Sequence, residues 1–208
     1  MKDVNINGCQ EKRQLKNQWY VLNVNLHIGI HLVEIIKSKM KTENKIICGD
    51  CIKELKNIPN EKIDLIITDP PFNIGKDYGD YKDRMKKDEY IEWCKKWLTE
   101  CIRVLKNGGA LYLFNYPENN AYLMPFLDEK LTFKRWMTWH YPVNTGMSPT
   151  NFTRSQHSIL FYIKGEKPRA FNKKESAEPY RNPTDKRIIK RLKNGSNGKT
   201  PYLSLIHI

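Results

Sequence analysis

Several kinds of sequence are missing from this chain, and each absence removes a class of protein. The most apolar stretch near the N-terminus, Val21 to Ile36, is interrupted by Asn23, Asn25, His27, His31 and Glu34. That is too many polar groups for a membrane span, and no secretory signal is visible. Cysteine is scarce and odd in number, with Cys9, Cys48, Cys51, Cys94 and Cys101 placed in element-like sequence. This speaks against a disulfide scaffold and for a reducing, cytoplasmic compartment. Cys48-Gly49-Asp50-Cys51 has the spacing of a metal or redox pair, yet no second pair and no HxxxH follows, so a closed zinc site cannot be assembled. Acidic residues are in deficit: 36 Lys and Arg face 23 Asp and Glu, leaving +13 over 208 residues. Such a balance points to a polyanionic partner and constrains association, not fold.

What is present begins with an apolar, β-branched run, Ile63-Asp64-Leu65-Ile66-Ile67-Thr68, that ends in Asp69-Pro70-Pro71-Phe72. The run fits a buried parallel strand. The two prolines fix their own φ and lack N–H groups, and Pro70 pushes Asp69 into extended backbone. A carboxylate, two unpaired carbonyls and an aromatic ring are thereby offered together, suited to holding something flat and polar. Around this tip the text alternates as α/β sheets do. A strand is predicted at Ile46–Cys48, a short helix at Ile52–Lys56, and a mobile loop from Asn73 to Lys87. Asp88 to Leu105 carries apolar residues at three- and four-residue spacing, which predicts an amphipathic helix stopped by Asn107-Gly108-Gly109. Cys94 and Cys101 lie on it as small buried hydrophobes. Further strands are predicted at 110–114, 133–141 and 158–163, with a helix over 119–129. Residues 24–32 alternate like an amphipathic strand without a partner, and 164–202 turn polar and basic, as a linker or the start of a basic module.

The motif, with Gly49-Asp50-Cys51 and Leu55-x-x-Ile58-Pro59 before it and Arg103-Val104-Leu105-Lys106-Asn107-Gly108-Gly109 and Arg154 to Gly165 after it, resembles the exocyclic-amine DNA methyltransferases, specifically the permuted beta class. The resemblance covers roughly residues 45–172. It implies an α/β fold: part of the Rossmann-like S-adenosylmethionine-dependent methyltransferase sheet, with helices on both faces. It also implies double-stranded DNA as substrate and a cognate restriction endonuclease as partner. Asp69 and the Pro70 carbonyl would accept the two hydrogens of the target amine, with Pro71 and Phe72 completing the catalytic tip. Phe72 would stack on a base extruded from the duplex. Asp50, Cys51 and Asp69 would border the cofactor. Phe72, Asn73, Lys76, Trp139 and His157 would border the base or DNA. No metal is required. Asp followed by Phe in the motif leans toward adenine N6 over cytosine N4. Helix capping by Asp50, an ordinary turn role for Asp69, an RNA or protein-glutamine substrate and a non-catalytic basic binding module stand as alternatives.

The resemblance also implies parts that this sequence does not carry. The family's glycine-rich cofactor loop is absent, since Gly195 and Gly198 have no apolar strand before them. Leu203 to Ile208 matches the translation of a transposon end used in sequencing libraries, and Met40 stands immediately before family-like sequence. The expected division is a non-family leader over 1–39, a catalytic part over 40–172, a basic recognition or linker segment over 173–202 and an adaptor translation over 203–208. On this reading the chain is a C-terminally truncated fragment, poorly folded and inactive, with an unpaired inner sheet edge.

Overall fold

A computed structural model describes residues 49–76, 83–141, 149–172 and 175–199, together with the backbone of three short strands at 32–36, 43–47 and 204–205. Strands β1 (Leu32–Ile36) and β2 (Glu43–Ile47) come first, then helix α1 (Cys51–Lys56), strand β3 (Ile63–Thr68) and the long helix α2 (Lys87–Val104). Strand β4 (Leu105–Asn115), helix α3 (Pro117–Asp128) and strands β5 (Thr132–His140) and β6 (Gln156–Ile163) follow, and α4 (Lys186–Lys193) and β7 (Ser204–Leu205) close the order.

The main sheet runs β3-β4-β6-β5-β7. β3 and β4 are parallel, β6 is antiparallel to both β4 and β5, and β7 runs parallel to β5 at Thr138 and Trp139. β1 pairs with β2 in a separate antiparallel ribbon, with Val33 opposite Ile46. That corrects the expectation of a leader without a partner, at least from Leu32 onward; residues 24–31, the Ile46–Cys48 strand's last residue and loop residues 77–82 lie outside the described residues. The predicted helix stop is also corrected. α2 ends at Val104 and passes straight into β4, which runs through Asn107-Gly108-Gly109. Between the pairs Ile63–Leu105 and Leu65–Ala110, β4 carries extra residues. Gly108, at φ +76°, takes up that irregularity while its backbone bonds to Lys164 and Arg169.

The core lies on one face of the sheet. Alternation along the strands sends Ile66, Leu111, Leu113, Leu160 and Tyr162 to that face, where Trp97, Leu98 and Cys101 of α2 and Leu123 and Leu127 of α3 cover them. Both Cys94 and Cys101 are buried as expected. Arg103 fastens α1 to α2: its guanidinium donates to the Leu55 and Ile58 carbonyls at 2.7 and 2.9 Å, satisfying carbonyls at the end of α1. The opposite face carries Tyr112 stacked on Phe161 at 4.5 Å, Phe114 against Trp139, and Leu65, half exposed. No described helix is long and apolar enough to cross a membrane.

Candidate active site

β3 delivers Asp69-Pro70-Pro71-Phe72 to the end of the sheet at which β4 also finishes, with Thr68 opposite Leu113. Pro70 and Pro71 are buried and Asp69 is partly so. Loss of water pushes the Asp69 carboxyl up to about 6, with no offsetting charge or hydrogen bond among the described residues. Among the described residues neither the carboxylate nor the Pro70 carbonyl has a hydrogen-bonding partner. The expectation of two unpaired carbonyls needs correction at Pro71, whose carbonyl accepts the Tyr90 hydroxyl at 2.6 Å. The Phe72 carbonyl accepts from Asn119 Nδ2 at 2.9 Å. One carbonyl and one carboxylate are left without a partner among the described residues, both acceptors.

Beside them stands an aromatic group. The Phe72 ring lies 5.0 Å from Tyr116 and 5.6 Å from His157, and His157 lies 5.1 Å from Tyr141. The Arg154 guanidinium covers the Tyr116 ring at 3.7 Å while pairing with Glu118. Burial and the Arg154 charge hold the His157 imidazole below its usual range, so it is a neutral ring at pH 7. Its Nδ1 is buried and has no hydrogen-bonding partner among the described residues. Trp139 sits opposite His157 in the β5–β6 register and is partly exposed.

The remaining expected site residues separate. Asn73, at φ +59°, uses its amide on the backbone of Met85: Nδ2 donates to the carbonyl at 2.9 Å and Oδ1 accepts from the N–H at 2.8 Å. It is a clasp, and the geometry gives no support to a DNA contact from this side chain. Asp83, fully buried, accepts from the Asn73 and Ile74 N–H groups at 2.9 Å each and completes the clasp. The start of the expected mobile loop is therefore tightly fixed. Lys76 is exposed at its rim. Asp50 caps α1, with Oδ1 accepting from Lys53 N–H at 3.0 Å, which is the capping alternative; its carboxylate is exposed. Cys51 is turned into the core, and burial pushes its thiol up to about 12. It does not face the site.

Sequence reasoning missed Tyr90, Asn115, Tyr116 and Tyr141. Tyr90 was legible as a core position of α2, and a buried phenol needs a partner, but nothing in the sequence says that the partner is the tip. Asn115, Tyr116 and Asn119 gather there because β4 ends and α3 begins, with Pro117 at its first turn, beside β3's end.

Comparison with known proteins gives the same direction. The family model described as DNA methylase, of the N6/N4 type, matches residues 63–204. The chain is 35% identical over 178 residues to the type II methyltransferase M.BamHI of Bacillus amyloliquefaciens, covering 83% of this chain and 40% of that protein. It is 39% identical over 132 residues to M.HpaI of Haemophilus parainfluenzae (62% and 42%), and 37% identical over 131 residues to the DNA adenine methyltransferase YhdJ of Escherichia coli K12 (61% and 43%). It thus spans about two fifths of the length of these relatives. A solved PvuII DNA methyltransferase, cytosine-N4-specific, aligns at 19% identity with a TM-score of 0.48 over 58% of this chain and 49% of that one.

Proposed function

Because this chain belongs to the DNA methylase family of the N6/N4 type, we propose that it presents the N6 amine of an adenine, turned out of duplex DNA, for methylation. The observation that carries the reading is a pair of acceptors with no partner among the described residues, the Asp69 carboxylate and the Pro70 carbonyl, on the tip that ends in Phe72. An exocyclic amine has two N–H donors, and its lone pair is delocalised into the ring. Accepting both hydrogens concentrates electron density on the nitrogen and meets the positive charge that develops there during attack. A carboxyl held near 6 is ionised at pH 7 and close enough to neutrality to take the departing proton. Phe72, Tyr116 and neutral His157 supply faces for the base, whose extrusion is needed because its amine is out of reach within the stack.

S-adenosylmethionine, named in relatives' structures such as the M1.HpyAVI complex, supplies when bound a methyl group on a sulfonium centre. Of the residues expected to hold it, Asp50 fits, with an exposed carboxylate, and buried Cys51 does not. Adenine is the choice because of the Asp-Pro-Pro-Phe tip, and YhdJ, so named, is an adenine enzyme.

The acceptor reading is tested with duplexes bearing one bulged base. Bulged adenine is expected to bind about tenfold or more tighter than bulged purine, which lacks the amine, because a site built to accept N–H groups is left unpaired by the analogue. The preference should disappear in Asp69→Ala. Equal binding of adenine and purine would overturn the reading, and a preference for bulged cytosine would move it to the N4 amine.

A further inference from the structure

Three carbonyls follow Asp69 in succession, and side chains occupy two of them. We propose that Tyr90, Asn115 and Asn119 form a closed hydrogen-bonded ring whose task is to aim the remaining carbonyl, that of Pro70, at the target amine; they are positioning residues of the site proposed above, and the inference rests on that reading. Tyr90 donates to the Pro71 carbonyl at 2.6 Å, and Asn119 Nδ2 donates to the Phe72 carbonyl at 2.9 Å. The two donors are joined behind the tip through Asn115, whose Nδ2 donates to the Tyr90 hydroxyl at 2.9 Å and whose Oδ1 accepts from Asn119 Nδ2 at 2.8 Å.

Proton directions in this ring follow from one fixed donor. The Tyr116 backbone N–H can only donate, and it meets Asn115 Oδ1 at 2.8 Å, so the oxygen of that amide must face Tyr116 and Asn119. Nδ2 must then face Tyr90, whose oxygen accepts, leaving its single proton for Pro71. Asn119 has two amide hydrogens, and each has a separate acceptor. The bonds of the ring are thereby made by one arrangement of protons, and Tyr90 and Asn115 are fully buried, so water does not replace either of those two.

The three members come from three elements: Tyr90 from α2, Asn115 from the end of β4 and Asn119 from the first turn of α3. The peptide planes on either side of Phe72 are each gripped at the carbonyl, and proline rings fix φ at 70 and 71. The freedom left to the Pro70 carbonyl is small. A single-carbonyl error of this kind matters, because misplacement by about 1 Å at a reacting group costs on the order of a hundredfold.

Tyr90→Phe removes one donor with almost no change of volume, and Asn119→Leu removes the other from a partly exposed position. The readout is the ratio of affinities for bulged adenine and bulged purine, alongside affinity for a fully paired duplex and its salt dependence. In both variants the adenine preference should fall to within about twofold, while paired-duplex affinity and salt slope, set by phosphate contacts, stay as in the wild type. A merely structural ring would weaken all three duplexes together and keep the ratio; that outcome, or an unchanged ratio in both variants, overturns the proposal. If the wild type shows no adenine preference, the acceptor reading falls first and the ring has nothing to aim. If the wild type discriminates and Asp69→Ala does not, a preserved ratio in Tyr90→Phe and Asn119→Leu sinks the ring alone.

Discussion

Asp69 is the residue on which the proposed amine contact turns. Its carboxyl is raised from 3.8 to about 6 by loss of water, which is the opposite of a stabilising ion pair. Below about pH 4 it is protonated in both folded and unfolded chains and costs nothing. Between about pH 4 and 6 the unfolded chain ionises while the folded one keeps its proton, so stability falls as pH rises, and above 6 the full penalty of about 2–3 kcal/mol applies. Asp69→Asn should therefore raise the melting temperature at pH 7.5 and leave it nearly unchanged at pH 4. An equal shift at both pH values would show that the carboxylate is not desolvated. The residue was legible from the sequence because two prolines and a strand end announce a presented side chain. The raised pKa was not, since it comes from burial of the carboxyl in the folded chain.

Elements differ in how far local pattern governed them. α2 follows its three- and four-residue apolar spacing within a residue at its start, because that stripe must cover Leu111, Leu113 and Leu160. Its end did not follow the glycine signal: pairing with β3 draws Leu105 into the sheet, and Gly108 is used as a bulge rather than a cap. α4 was unreadable within a stretch marked only as basic. It is capped by Asp185 and presents Lys186, Arg187, Lys190, Arg191 and Lys193 with no buried residue, while Ile189 and Leu192 stay partly exposed. A helix with five cations and no acid suits the phosphate backbone, where Lys and Arg contacts give affinity without reading sequence. Lys190→Gln and Arg191→Gln should each reduce the slope of log affinity against log salt for duplex DNA by about one, without altering melting temperature. Slopes unchanged in both would show that α4 takes no part in the proposed contact with DNA.

The whole molecule pairs a polar acceptor tip with a strongly basic chain, +13 in formal charge, and the proposed function uses both, the charge to draw in a polyanion and the tip to hold one of its bases. The α/β alternation was visible in the sequence because buried parallel strands and an amphipathic helix leave distinct periods. The order β3-β4-β6-β5-β7 was not, since antiparallel pairing of β6 between β4 and β5 depends on long-range register that no local pattern encodes. The aromatic group around Phe72 was half legible: His157 and Trp139 could be placed at strand ends, whereas Tyr116 and Tyr141 enter only through that register. In the proposed function an ionised Asp69 and the Pro70 carbonyl together accept an adenine amine. The most direct test of this is the adenine-over-purine affinity ratio for bulged duplexes measured from pH 5 to pH 8. The ratio should rise through pH 6 to about tenfold or more in the wild type and stay flat near one in Asp69→Ala; a wild-type ratio that is flat across that range, or unaffected by removal of the carboxylate, would contradict the account.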